Sequence, residues 1–82
     1  MKPVKIYTTN YCPFCQRAKA FLTEKKVPFE EVRVDADEDF DALVEKTGWK
    51  TVPQIFIGEE MIGGFDALAA LEQSGELNKK LL

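Results

Sequence analysis

The chain contains no histidine, two cysteines and a single tryptophan. Without histidine there is no Ser-His or Cys-His catalysis and no His-containing metal site. A structural zinc takes four Cys or His ligands, and two cysteines cannot supply them within one chain. No Lys/Arg block exceeds two residues and the formal net charge is −3, which argues against a nucleic-acid partner. No apolar run approaches the ~20 residues of a membrane helix, so no membrane partner is expected. The N-terminal Met1-Lys2-Pro3-Val4-Lys5 has no apolar h-region, so a secretory signal is not expected either. The expected compartment is a reducing cytoplasm, where paired cysteines are more often catalytic or metal-binding than structural.

What is present is enough apolar material for a modest core: 45% hydrophobic and 30% charged residues over 82 positions. That balance reads as one soluble globular domain, residues 1–82. Such a domain buries only about 60% of its unfolded-chain surface. Both cysteines lie in Tyr11-Cys12-Pro13-Phe14-Cys15. The spacing is common to redox dithiols and to half of a zinc site, and the ligand count disfavours zinc.

Val4 to Thr8 alternates apolar and polar residues and is rich in strand formers, giving a first strand. A helix is expected from about Pro13, since proline suits the first helical position. Cys15, Ala18 and Leu22 fall on one helical face, with Phe14 and Phe21 widening it. This phase turns Cys15 inward and leaves Cys12 at the open N-terminal tip. Val27-Pro28 ends the helix, and Phe29 to Val34 alternates again as a second strand. The acidic stretch from Asp35 to Asp41 reads as a helix N-terminus with capping aspartates and charge favourable to the macrodipole. The helix continues through Phe40, Leu43, Val44 and Thr47, with Gly48 closing it. Gln54 to Ile57 reads as a third strand, turning through Gly58-Glu59-Glu60 into Met61-Ile62 as a hairpin. Asp66 is placed to cap a third helix carrying Leu68 and Leu71, and Ser74-Gly75 ends it. Leu77 and Leu81 mark a last turn that packs back. The order is β-α-β-α-β-β-α, an α/β chain whose first β-α-β is a right-handed parallel unit.

A thiol at a helix N-terminus meets unpaired N–H groups and partial positive charge, which favour the thiolate; Arg17 and Lys19 are nearby cations. A free thiol of pKa about 8.5 is only ~3% ionised at neutral pH. Attack gains little from a lower pKa because nucleophilicity falls with it, whereas departure from a mixed disulfide gains steadily. On this reading Cys12 is the nucleophile and Cys15 the resolving thiol. A permanent structural disulfide is the alternative, but so short a loop removes little denatured-state entropy.

Cys-Pro-Phe-Cys after the first strand, Thr51-Val52-Pro53 before the third, and Gly63-Gly64-Phe65-Asp66 opening a late helix occur here in order. Together they resemble the dithiol class of the glutaredoxin family, over essentially the whole chain. The resemblance implies a thioredoxin-like fold, a four-stranded mixed sheet flanked by helices, and glutathione-dependent thiol–disulfide exchange on protein disulfides and glutathione mixed disulfides. It implies a cis bond before Pro53, which would offer the Val52 backbone to the cysteine residue of glutathione. It also implies that Gly64, Phe65 and Asp66 hold the γ-glutamyl end and that Lys50, beside Thr51, pairs with the glycine carboxylate, with Phe14 as an apolar wall. Glutathione is then the reducing co-substrate, no metal is required, the protein partners are disulfide-bearing or glutathionylated proteins, and the chain acts as a monomer. Three positions depart from the family pattern. Thr9 stands where many members carry lysine, Phe14 replaces tyrosine, and Ala67 follows Asp66 where a polar residue is common. They point to weaker glutathione binding. Two other readings keep the motif: a redoxin reduced by thioredoxin reductase, for which Thr9 leaves room while Gly64-Phe65-Asp66 and Lys50 argue against it, and an iron–sulfur-bridged dimer, disfavoured by Pro13.

Overall fold

In the computed structural model, which describes residues 2–82, the alternation of the first segment becomes β1 (Val4–Thr8), with Val4, Ile6 and Thr8 buried on one face. α1 (Pro13–Glu24) starts at the proline and buries Cys15, Ala18 and Leu22 against that face. The spacing i, i+3, i+7 keeps these three on one stripe of the helix. The chain continues as β2 (Glu30–Arg33), α2 (Asp37–Thr47), β3 (Gln54–Ile57), β4 (Glu60–Gly63), α3 (Phe65–Ser74) and α4 (Glu76–Leu81). The sheet order is β2-β1-β3-β4: β1 pairs parallel with β2, while β1–β3 and β3–β4 are antiparallel. This is the four-stranded mixed sheet of the thioredoxin-like fold.

The core gathers Ile6, Ala18, Leu22, Ile55, Leu68 and Leu77, all at most 1% exposed. Burying each large aliphatic side chain here is worth about 1.5–3 kcal/mol, so these six set the relative positions of β1, β3, α1, α3 and α4. The final leucines form more than a loose turn. α4 buries Leu77 and Leu81, and the Leu81 carbonyl accepts a hydrogen bond from the Lys2 amide at 2.7 Å, joining the two ends of the chain.

Four local expectations change. β2 is shorter than Phe29–Val34, and its exposed Glu30, Glu31 and Arg33 make a charged edge that resists pairing with another sheet. The N-cap of α2 is Ala36, with no side-chain cap; Asp37, Glu38 and Asp39 supply only the favourable first-turn charge. Asp66 lies inside the first turn of α3, whose N-cap is Gly64, again with no side-chain hydrogen bond. Phe14 does not widen the buried face of α1 but is 51% exposed. Gly48 does close α2, at φ 74.

On the β2 edge, the buried Thr8 hydroxyl donates to Glu31 Oε2 at 2.6 Å and Lys19 Nζ lies 3.0 Å from the same oxygen. The Thr8 hydrogen bond, then the Lys19 hydrogen bond, hold the Glu31 carboxyl below its usual range against the opposing effect of burial, with smaller help from the Lys19 and Arg33 charges. Lys19 is thereby committed to the sheet edge rather than to the cysteines. A cavity of about 900 Å³ opens elsewhere, lined by Tyr7, Phe29, Leu43, Phe56 and Met61 among others. It contains neither cysteine, so size alone is no guide to the chemistry.

Candidate active site

The first turn of α1 is held by sulfur. Cys12 is the N-cap residue, in extended conformation, and its Sγ accepts a hydrogen bond from the Cys15 amide at 3.1 Å. A cap normally uses a Ser, Thr, Asp or Asn oxygen to satisfy one of the helix's orphan N–H groups. Here that role falls to an atom that can itself carry charge. An ionised sulfur at this point would receive a charge-assisted hydrogen bond and the positive end of the helix dipole. Cys12 and Cys15 are joined as a disulfide, with Cα atoms 5.1 Å apart.

The two sulfurs are unequal, though less so than helical phase implied. Cys12 is 9% exposed rather than open at the tip, and Cys15 is 1% exposed. The carbonyl oxygen of Val52 lies 3.7 Å from Cys12 Sγ. Access to Cys12 therefore runs past the backbone of the loop between α2 and β3.

That loop carries Lys50, Thr51, Val52 and Pro53, and the Val52–Pro53 bond is cis, as the resemblance implied. Lys50 and Thr51 are exposed, Val52 is half-buried and Pro53 is buried. At the next residue, the fully buried Gln54 donates from Nε2 to the Trp49 carbonyl at 2.8 Å, closing the loop from within. Beyond Pro53 stands the start of α3. A Cβ placed on Gly64 would lie 3.6 Å from the Pro53 carbonyl, so the α3 N-terminus abuts the loop that faces Cys12. Since α3 has no side-chain cap, the first-turn amides have no side-chain acceptor. Two helix N-termini, at Cys12 and at Gly64, thus meet the one loop that carries Val52 and Pro53. Phe65 is half-buried behind it, edge-on to Phe21 at 6.4 Å, and Asp66 is exposed.

A cysteine pair at a helix start thus faces a cis-proline loop on a β2-β1-β3-β4 sheet, and the glutaredoxin family model matches residues 4–62. The chain belongs to the glutaredoxin family. It is 50% identical over 82 residues to a glutaredoxin of Pseudomonas aeruginosa, covering 99% of this chain and 98% of that protein. To glutaredoxin 3 of Escherichia coli K12 it is 44% identical, over 99% of each chain. Among solved structures, a glutaredoxin–glutathione complex from buckwheat superposes with a TM-score of 0.87 at 30% identity, covering 98% of this chain and 76% of that one. Glutaredoxins are thiol–disulfide oxidoreductases, and Cys12 and Cys15 are the only thiols here that can form the redox pair.

Within this glutaredoxin, three features of the site were not readable as such in the sequence. Phe14 projects outward with the Arg17 guanidinium 5.5 Å above its ring. Thr9, in the position often occupied by lysine, donates its hydroxyl to the Asn10 carbonyl at 3.3 Å. The loop before the nucleophilic motif is anchored to the far end of β2. The Asn10 amide donates to Asp35 Oδ1 at 2.7 Å, and Arg33 donates to the Asn10 side-chain oxygen. Asp35 had every mark of a helix cap; instead it holds the segment that carries Cys12. Between these anchors Tyr11 sits at φ 55, a left-handed conformation that costs a non-glycine residue about 1–2 kcal/mol.

Proposed function

We propose that this protein is a glutathione-dependent disulfide reductase in which Cys12 attacks and Cys15 resolves. The observation that carries the glutathione reading is the uncapped N-terminus of α3 beside Pro53, one loop away from Cys12 Sγ. Free amides at a helix start accept a carboxylate readily, so the N–H groups of Phe65 and Asp66 would take the γ-glutamyl carboxylate, and the exposed Asp66 its amine. Gly64 lets the ligand approach the backbone closely. The Val52 backbone would pair with the cysteine residue of glutathione, Lys50 with its glycine carboxylate, and Phe14 would wall the site alongside Thr51 and Pro53. The buckwheat glutaredoxin complex with glutathione lends this reading support from a relative.

The chemistry then balances without further reagents. On a glutathionylated protein, the Cys12 thiolate attacks the glutathione sulfur, the protein–glutathione S–S bond breaks, and the protein leaves as a thiolate that takes up a proton. A second glutathione, as thiolate, attacks the Cys12-bound glutathione and releases glutathione disulfide and the Cys12 thiolate. On a protein disulfide, Cys12 forms a mixed disulfide with one sulfur of the target. Cys15 gives up its proton to the departing thiolate and attacks Cys12, releasing the target dithiol and the Cys12–Cys15 disulfide seen here. Two glutathiones reduce that disulfide and leave as glutathione disulfide. A site that hands electrons on in this way suits a monomer in the cytoplasm, where glutathione is kept reduced.

The donor is tested by coupling turnover of a glutathione mixed disulfide to NADPH oxidation. Glutathione with glutathione reductase is expected to sustain the reaction, and thioredoxin reductase alone to leave it at background. The reverse result would assign the chain to the redoxins fed by thioredoxin reductase.

A further inference from the structure

Tyr11, the residue immediately before Cys12, is fully exposed. It is also one of two non-glycine residues with positive φ among those described, at 55. A large aromatic residue in that conformation is an outlier, and such residues persist only where their surroundings fix them. The surroundings are visible here. On one side Asn10 is held through its amide and its side chain by Asp35 and Arg33; on the other, Cys12 is fixed as the N-cap of α1. With both neighbours fixed, the backbone turns the Tyr11 ring away from the protein. A ring with 100% exposure contributes no packing to the fold, and a glycine would adopt the same conformation without strain. Nothing among the described residues therefore accounts for a tyrosine at this position. What remains is its place, one residue from the sulfur that every substrate must reach. Phe14, two residues beyond Cys12, is exposed as well.

We infer that Tyr11 is a specificity-determining residue that docks the polypeptide segment flanking the target cysteine of protein substrates, and that it plays no part in handling glutathione. This inference rests on the disulfide-reductase reading above. A tyrosine at such a position offers a large, rigid amphipathic surface at low entropic cost, the property that enriches it at protein interfaces. A small mixed disulfide has no flanking chain and gains nothing from it.

The experiment compares the parent with Tyr11→Ala, Tyr11→Gly and Tyr11→Phe on two substrates: glutathionylated serum albumin and the mixed disulfide of glutathione with cysteine. On albumin, Ala and Gly are expected to lower kcat/KM at least fivefold, mainly by raising KM, while Phe stays within twofold of the parent. On the small disulfide all three stay within twofold. Tyr11→Gly should melt no lower than the parent. An equal fall on both substrates, an unchanged rate on albumin, or a lower melting temperature for Tyr11→Gly would each overturn the inference. A parent inactive on the small disulfide would instead remove the reductase reading itself, and this inference with it.

Discussion

Replacing Cys12 by serine is expected to reduce turnover of a small glutathione mixed disulfide to the uncatalysed background. Cys15→Ser should keep that activity while losing catalysed reduction of protein disulfides. The difference follows from position on the same helix. Cys12 Sγ occupies the N-cap, receives the Cys15 amide at 3.1 Å and lies beside the Val52 carbonyl, where an incoming disulfide would sit. Cys15 is 1% exposed and faces the core, so it meets no external disulfide until Cys12 brings one to it. On a glutathione mixed disulfide the resolving thiol is dispensable, because a second glutathione performs that step. The remaining rate in Cys15→Ser should lie within about threefold of the parent. Substituting the neighbouring thiol leaves the backbone N–H in place, and modest changes in thiolate character are damped by a Brønsted slope of about 0.5. Assays of both variants on both substrate types check the assignment. Equal residual activity in the two variants on the small disulfide would contradict it.

The second large effect concerns stability at the hinge between β4 and α3. Gly63 has φ +124, and a Cβ there would lie 3.2 Å from the Ala67 Cβ and 3.7 Å from the Trp49 ring. That φ lies outside the left-handed helical well that asparagine can use, so the conformation demands glycine, and the Ala67 contact leaves little room for a side chain. Gly63→Ala is expected to destabilise by about 1–3 kcal/mol, and Gly63→Val by more. The whole domain's stability is of the order of 4–12 kcal/mol at this length, and each kcal/mol lowers the melting temperature by roughly 4–8 °C. Gly48→Asn is the control. Its φ is +74, and a Cβ there would have nothing within 4 Å; asparagine tolerates that conformation. Denaturant unfolding of the three variants should rank them Gly48→Asn, Gly63→Ala, Gly63→Val in increasing loss. A Gly63→Ala as stable as the parent would show that the β4–α3 junction can relax, and that the α3 N-terminus is not firmly fixed beside Pro53.

Much of this was legible in the residues because local rules and tertiary demands agree. Pro13 starts α1, the Cys15, Ala18 and Leu22 stripe is the stripe that is buried, and Gln54–Ile57 is β3 to the residue. Leu77 and Leu81 pack back as their spacing implied. The misreadings cluster at helix N-termini and at the site, where function and tertiary contact override local preference. Asp66 had the side chain of a cap, yet the α3 cap position is Gly64 and its amides are left free of side chains. Phe14 is apolar and in helical phase with the core, but its position in the first turn beside the active sulfur puts it in solvent. The role of Asp35 could not be seen locally, since its partner Asn10 is 25 residues away and meets it only because β1 and β2 are parallel neighbours. The burial of Cys12 likewise depends on Val52, 40 residues away.

With its sulfur as the cap of α1, reduced Cys12 is expected to be stabilised as a thiolate by the Cys15 amide and the helix dipole. Alkylation of Cys12 by iodoacetamide, followed across pH in reduced Cys15→Ser so that one thiol reports, tests this most directly. The rate is predicted to reach half its plateau at a pH clearly below the value of about 8.5 typical of a free thiol. A midpoint at or above that value would show that the cap position does not stabilise the thiolate.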